Sequence, residues 1–198
     1  TSRTNGNTAT TMKNATGITF DSSGNMWVAD TGNFRILKYP AANLVTGGAA
    51  TVALGQTDLT STEQGITATT LNNSTSIAFD SSGNLWATDP GNSRILKYPT
   101  ANLSTGGAAT VALGQSDLTS AVQGITATTM KNATGITFDS SGNLWVADKG
   151  NSRILKYPAA NLSTGGAATV ALGQTDLTSN DQSGQRYSHS ARTFNTPT

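Results

Sequence analysis

The chain has 198 residues, room for one or two domains, and its 12 basic and 11 acidic residues leave a formal net charge of +1. That balance argues against nucleic-acid or anionic-membrane partners, whose binding surfaces usually show a basic excess. There is no cysteine, so disulfides, thiolate catalysis and Cys-ligated metals are excluded. No apolar run approaches the roughly 18–20 residues needed to insert in a bilayer.

In chain order, the first predicted strand is GITFD (17–21), which alternates apolar and polar residues. DSSGN follows as a tight turn bearing Gly and Asn. NMWVAD (25–30) is the second strand, and TGN breaks the chain again because Gly and Asn tolerate positive φ. RILKYP (35–40) is the third, stopped by Pro40, which has no N–H to give to a ladder. The loop PAANLVTGGAA leads to a fourth strand, TVALG (51–55). A polar linker, QTDLTSTEQGITATTLNNST, then runs into a second copy of the pattern.

Phe20, Phe79 and Phe138 mark one repeat position, 59 residues apart each time. Residues 8–61 and 126–179 differ at four positions only: Met26/Leu144, Thr31/Lys149, Phe34/Ser152 and Val45/Ser163. The middle copy, 67–120, differs from the third at ten. Copies this close point to recent duplication or to design. In LWVAD, Leu144 and Val146 face one way and Trp145 and Ala147 the other, so both faces of the strand are apolar. A sheet with one wet face alternates more cleanly; a sheet held between two neighbours does not. Four strands per unit in tandem units predict propeller blades.

The pattern GITFDSSGNLWVADxGNxRILKYP resembles the NHL repeat, through Gly135, Asp139, Gly142, Asn143, Val146, Asp148, Gly150, Asn151 and Arg153. The following ATVALGQTDLTS is similar to the tail of bacterial and archaeal NHL proteins. The resemblance implies an all-β NHL-type β-propeller segment of three four-stranded blades, half of a six-bladed propeller. It covers nearly all of residues 8–179. It says little of function, because one fold hosts binding modules and enzymes. Two departures stand out. The spacing of 59 exceeds the usual blade length of about 40–50 residues, and Ser76 stands where the other copies have Gly17 and Gly135.

The expected organisation is one propeller segment over 1–198, with blades at 8–61, 67–120 and 126–179 and a linker insert over 180–198. The last residues, FNTPT, align with MKNAT (130–134) and LNNST (71–75), the run-in to a blade. The first residue is not Met and no signal peptide is visible. The expectation is a processed or excised piece of a longer propeller, or an arc completed by another copy of itself. Alone, such an arc is expected to leave two apolar blade faces wet.

Candidate chemistry is sparse. DSSGN superficially resembles a calcium loop, but position twelve counted from Asp21 is Gly32 where an EF-hand needs Glu. Asp30/Arg35, Asp89/Arg94 and Asp148/Arg153 recur in every copy, as blade-building charge pairs must, whereas an active site is usually made once. Asp21, Asp80 and Asp139 recur likewise. A single histidine, His189, lies near Arg186, Tyr187 and Arg192 and cannot make a three-ligand zinc site; with Ser188 and Ser190 beside it, sequence adjacency makes no triad. Trp27, Trp86 and Trp145 read as packing between blades. Asn-x-Ser/Thr sequons stand at Asn14, Asn72, Asn73, Asn102, Asn132 and Asn161. No catalytic residue, cofactor or metal site is expected.

The copies disagree in the turn between second and third strands, where Thr31, Pro90 and Lys149 are equivalent, as are Phe34, Ser93 and Ser152. Such turns lie on a rim, so these six are candidate partner contacts; drift at exposed sites is the even-handed alternative. The expected role is a non-enzymatic binding or structural module, extracellular or on the cell surface, presenting rim loops to a protein or glycan. The alternatives are half of a lyase-like or lactonase-like propeller enzyme, or a designed repeat protein without a natural ligand.

Overall fold

The computed structural model describes residues 6–180. Apart from six single turns of 3₁₀ helix, the regular structure is all β: twelve strands in three four-stranded antiparallel sheets, each a meander in chain order. The first sheet holds β1 (Ala15–Phe20), β2 (Met26–Asp30), β3 (Arg35–Tyr39) and β4 (Val52–Leu54). The second holds β5 (Ile77–Phe79), β6 (Leu85–Asp89), β7 (Arg94–Tyr98) and β8 (Val111–Leu113). The third holds β9 (Ala133–Phe138), β10 (Leu144–Asp148), β11 (Arg153–Tyr157) and β12 (Val170–Leu172).

The period of two decides which residues share a face. Register pairs Phe20 with Met26, Ile18 with Val28, Val28 with Leu37 and Met26 with Tyr39, so these six side chains share one face of the first sheet. Trp27, Ala29, Ile36 and Leu54 take the other. The second face of each sheet packs on the first face of the next. Trp27, Ala29, Ile36 and Leu54 bury against Ile77, Leu85, Ala87, Leu96 and Tyr98. Trp86, Ile95 and Leu113 do the same against Leu144, Val146, Leu155 and Tyr157. At each junction a tryptophan meets the next blade's phenylalanine edge-on, Trp27 with Phe79 and Trp86 with Phe138, both at 5.9 Å between ring centres. This is the two-sided burial that the apolar faces of LWVAD call for.

The innermost strands come close enough to constrain composition. A Cβ on Gly17 would lie 2.7 Å from the Thr75 carbonyl oxygen, so the first blade needs glycine there. The second blade carries Ser76 at that position, and its Oγ accepts the Ile136 N–H at 3.2 Å. The departure from the repeat thus becomes a contact to the next blade. A separate difference accompanies the short β5: Thr88, where the other copies have Ala29 and Ala147, takes the Thr75 and Ser76 N–H groups on its Oγ1.

The expectation of two wholly wet end faces needs correction. On the first blade, Val28, Leu37, Tyr39 and Ala53 are buried, with Ala50 and Leu59 of the chain's own loops packed among them. On the sheet itself exposure is concentrated in an inner band, Ile18 at 64% and Phe20 at 54%, with Leu44 of the β3–β4 loop exposed as well. The third blade's far face exposes Leu172 at 45% and leaves Trp145 and Ile154 half-buried.

Candidate functional site

Arg35 sits at the start of β3 directly across from Asp30 at the end of β2, and both side chains are fully buried. A guanidinium has five N–H donors, and each finds an acceptor. Nε donates to Asp30 Oδ2 at 2.7 Å; the other four go to the backbone carbonyls of Asn7, Leu59, Thr8 and Thr11. Asp30 in turn accepts from the Lys13 N–H and the Asn33 amide. Arg94 and Arg153 repeat the set, to Asp89 and Asp148 and to carbonyls of their own run-in and outgoing loops. The pair is therefore more than a clasp across a hairpin. It ties the segment entering each blade to the segment leaving it, and no donor is left for a ligand.

The same clamping corrects the expectation of an exposed contact turn. The turn is a 3₁₀ turn, Thr31–Asn33, and its Asn33 amide is pulled in by Gly6 O and Asp30. Pro90, Ser93 and Ser152 are buried; Thr31, Phe34 and Lys149 are half-buried. Thr31 spends its hydroxyl on Ser74 O at 2.6 Å, in the run-in to the next blade. Positive φ also falls elsewhere than expected. Gly32 and Asn33 close the 3₁₀ turn, and Phe34, Ser93 and Ser152 are left-handed at 54°, 51° and 51°. Gly32 is required for close approach instead: its Cβ would lie 2.8 Å from Lys13 O. Pro90, Ser93 and Ser152 are thus enclosed in the turn, while Thr31, Phe34 and Lys149 keep part of their surface open.

DSSGN is an aspartate-centred turn. Asp21 Oδ1 accepts the Ser23 and Asn25 N–H groups, and Oδ2 accepts the Trp27 indole N–H at 3.0 Å. Burial alone would raise this carboxyl; the bonds from Trp27 and Asn25 outweigh it and hold it below the usual carboxylate range, and Asp80 is alike. Asp139 is held low mainly by Asn143 and Trp145. Outside the sheets, Asp117 and Asp176 fold the QxDLTS segments around themselves and are lowered to about 2 by hydroxyl and backbone donors. A carboxyl depressed in the folded state stabilises it above the unfolded value of 3.8 and loses that contribution as pH falls through the folded value. These turns should therefore make the urea midpoint fall between roughly pH 4 and 2, while Asp89 and Asp148, raised by burial, act in the opposite sense above that range. The fall should be shallower in Asp139→Asn. A midpoint constant to pH 2 would remove these turns from the account of stability.

The open concavity worth a ligand lies between the first two blades, where their DSSGN turns come side by side. It encloses about 580 Å³. Ser22, Ser23, Ser81, Ser82 and Thr100 supply hydroxyls, and Phe79 and Leu103 an apolar floor, while the Asn25 amide is spent on Asp21 and the Ala41 N–H. Lys38 lines it too, with Nζ 5.5 Å from the Trp27 ring centre. Trp27 itself is fully buried, which leaves no stacking platform.

Sequence reasoning missed the buried glutamines. Gln56 gives its amide to Phe34 O and Glu63 O and accepts the Glu63 N–H; Gln115 does the same with Ser93 and Val122. Their signal was the recurrence of LGQ in every copy. Of the sequons, Asn102 and Asn161 spend their amides on Ala108 O and Ala167 O, while Asn14, Asn73 and Asn132 are exposed. His189, Arg186, Tyr187, Arg192, Ser188, Ser190 and the run FNTPT lie outside the described residues. Among the described residues, no three of His, Asp and Glu gather as a metal site would require.

Four-stranded meanders stacked face to face, with inner strands adjacent, are the blades of a β-propeller. The family profile of the NHL repeat matches residues 12–39 and 130–157. Those two segments, in the first and third blades, are NHL repeats. Comparison with curated proteins finds no match. Among solved structures it is similar to virginiamycin B lyase from Staphylococcus aureus, with TM-score 0.50 and 16% identity over 81% of this chain and 42% of the lyase. It is similar to hydrazine synthase of Kuenenia stuttgartiensis, at TM-score 0.53 and 9% identity over 83% and 37% of the two chains. A protein assigned as a gluconolactonase gives TM-score 0.53 and 15% identity over 79% and 49%. The chain spans less than half the length of each. At such identities the likeness is one of fold alone.

Proposed function

We propose that this chain is a non-enzymatic binding scaffold, working outside the cell or at its surface, that holds a neutral glycan in the cleft between its first two blades. One observation carries the reading: the cleft is lined with hydroxyls over a small apolar floor, while its carboxylates and the Asn25 amide are already engaged by the protein. Hydroxyl donors and acceptors on a concave, partly apolar wall suit a polyhydroxylated ligand. Acid–base catalysis needs a group poised near neutral pH, and Asp21 and Asp80 are moved the other way. The weak net charge also fits an uncharged ligand better than a polyanion.

Saturation-transfer NMR against a panel of neutral oligosaccharides tests the reading. Binding should be seen, and Lys38→Ala should weaken it by about tenfold, the value of one charge-assisted hydrogen bond. The melt should change little, because a cation over an aromatic ring at a partly exposed site is worth about 1 kcal/mol. No binding across the panel would overturn the glycan assignment. Turnover of a lactone or a streptogramin by the purified chain would overturn the non-enzymatic reading in favour of part of a propeller enzyme.

A further inference from the structure

The two junctions between blades are built from the same parts, and each part has an unused counterpart at one end of the arc. Thr16 donates its hydroxyl to Thr75 O at 3.1 Å, and Thr75 donates to Thr134 O at 2.9 Å. Thr134, third in the series, has its own Oγ1 buried without a partner. Trp27 and Trp86 are fully buried under Phe79 and Phe138. Trp145 keeps its lysine, Lys156, 5.5 Å from the ring centre, yet is only half-buried. Leu54 and Leu113 are fully buried; Leu172, their equivalent, is 45% exposed.

The complementary parts stand at the other end. Phe20 is the equivalent of Phe79 and Phe138, and it is exposed. Leu44 is the equivalent of Leu103, which packs against the core shared by the first two blades; Leu44 is 41% exposed. Thr105 and Thr164 reach back so that their hydroxyls accept the N–H groups of Ala53 and Ala112, both at 3.1 Å. Thr46, the next in that series, is exposed, and Ala171 is the matching position on the third blade.

We propose that the open face of the third blade is an interaction surface for a second copy of this chain, seated through β1 and the β3–β4 loop of that copy's first blade. The partner's Phe20 then lies against Trp145, the partner's Leu44 against Leu172, and the Thr16 carbonyl of the partner subunit accepts from Thr134. The contact continues an interface used twice inside the chain, and the exposed residues at one end are those the other end lacks. The middle of the first blade's face is already buried, so this band carries the contact. Each copy offers both ends, so two copies meet reciprocally around a two-fold axis. The inference goes beyond the glycan reading and does not depend on it.

The chain has no cysteine, which makes a disulfide trap clean. Thr46→Cys protein mixed with Ala171→Cys protein should give a cross-linked band of two chains under oxidation, and neither variant alone should. Ala53→Cys with Thr105→Cys in one chain is the internal control for the same geometry. Native mass measurement of the unmodified chain from nanomolar to micromolar concentration should show a two-chain species, and Leu172→Glu should shift its midpoint at least tenfold higher while the monomer stays folded by circular dichroism. A monomer throughout, with no cross-link in the mixture while the control bridges, would overturn the surface. An open head-to-tail series of copies would overturn the reciprocal closure.

Discussion

Arg94→Met should lower stability by about 3–5 kcal/mol, the cost of leaving a buried charge without its partner. In a chain of this size that is a fall in melting temperature of roughly 6–20 °C. Asp89 would keep the Asn72 N–H and the Asn92 amide, but it would lose the guanidinium. The carbonyls of Ile66, Thr67, Thr70 and Leu118 would lose their donors together. Methionine matches much of the volume, so the loss is mainly polar. Lysine should rescue little. Its ammonium has three donors on a flexible stem, and the site needs five in a planar fork. The check is a melt of the full chain with Met and Lys variants side by side. A melt within 2 °C of the parent for Arg94→Met would show that the run-in and outgoing loops are held by something else. Glycan binding gives an independent reading, because the cleft lies at the DSSGN turns, away from the Arg94 clamp.

The strands, their order and their two-faced packing were legible because side-chain periodicity is a local property. The charge pair was legible for the same reason: Asp30 and Arg35 are five residues apart, astride a turn. The rest of Arg35's environment was not. Its four carbonyl partners lie 24 to 28 residues away, and every residue carries the same carbonyl, so sequence holds no mark of which ones converge. The variable turn was misplaced by a related gap. Pattern reading puts a Gly- and Asn-bearing turn on the surface, and only the path of the linker shows that Gly6 and Lys13 of the run-in close over it. Phe34 in the left-handed region runs against residue preference, since a bulky side chain there is strained. The cleft was missed because it belongs to no single repeat. It forms where the Asp21 turn of one blade meets the Asp80 turn of the next.

Trp86→Ala should cost about 3–5 kcal/mol, as large-to-small changes at a fully buried aromatic do. The indole is 0% exposed, donates Nε1–H to Asp80 Oδ2 at 2.9 Å, and carries Phe138 against it and Lys97 over it. Truncation would open a cavity in the core that the second and third blades share, and would take a donor from a carboxylate whose turn depends on it. Trp145→Ala removes the same side chain from the same repeat position. There the bond to Asp139 and the lysine are lost as before, but no following blade lies against the ring among the described residues. Its cost should be about 1–2 kcal/mol in dilute protein, because less area returns to water. The two variants thus separate what a blade contributes to its own fold from what its neighbour adds. Urea melts of both in dilute solution are the measurement. Equal losses would mean that the Trp–Phe contact across the junction adds nothing, and that blades are stabilised singly. A loss at Trp145 that grows with protein concentration toward that at Trp86 would mean that the ring is being covered by another blade, with the Phe20 band of a second copy as the surface exposed to supply it.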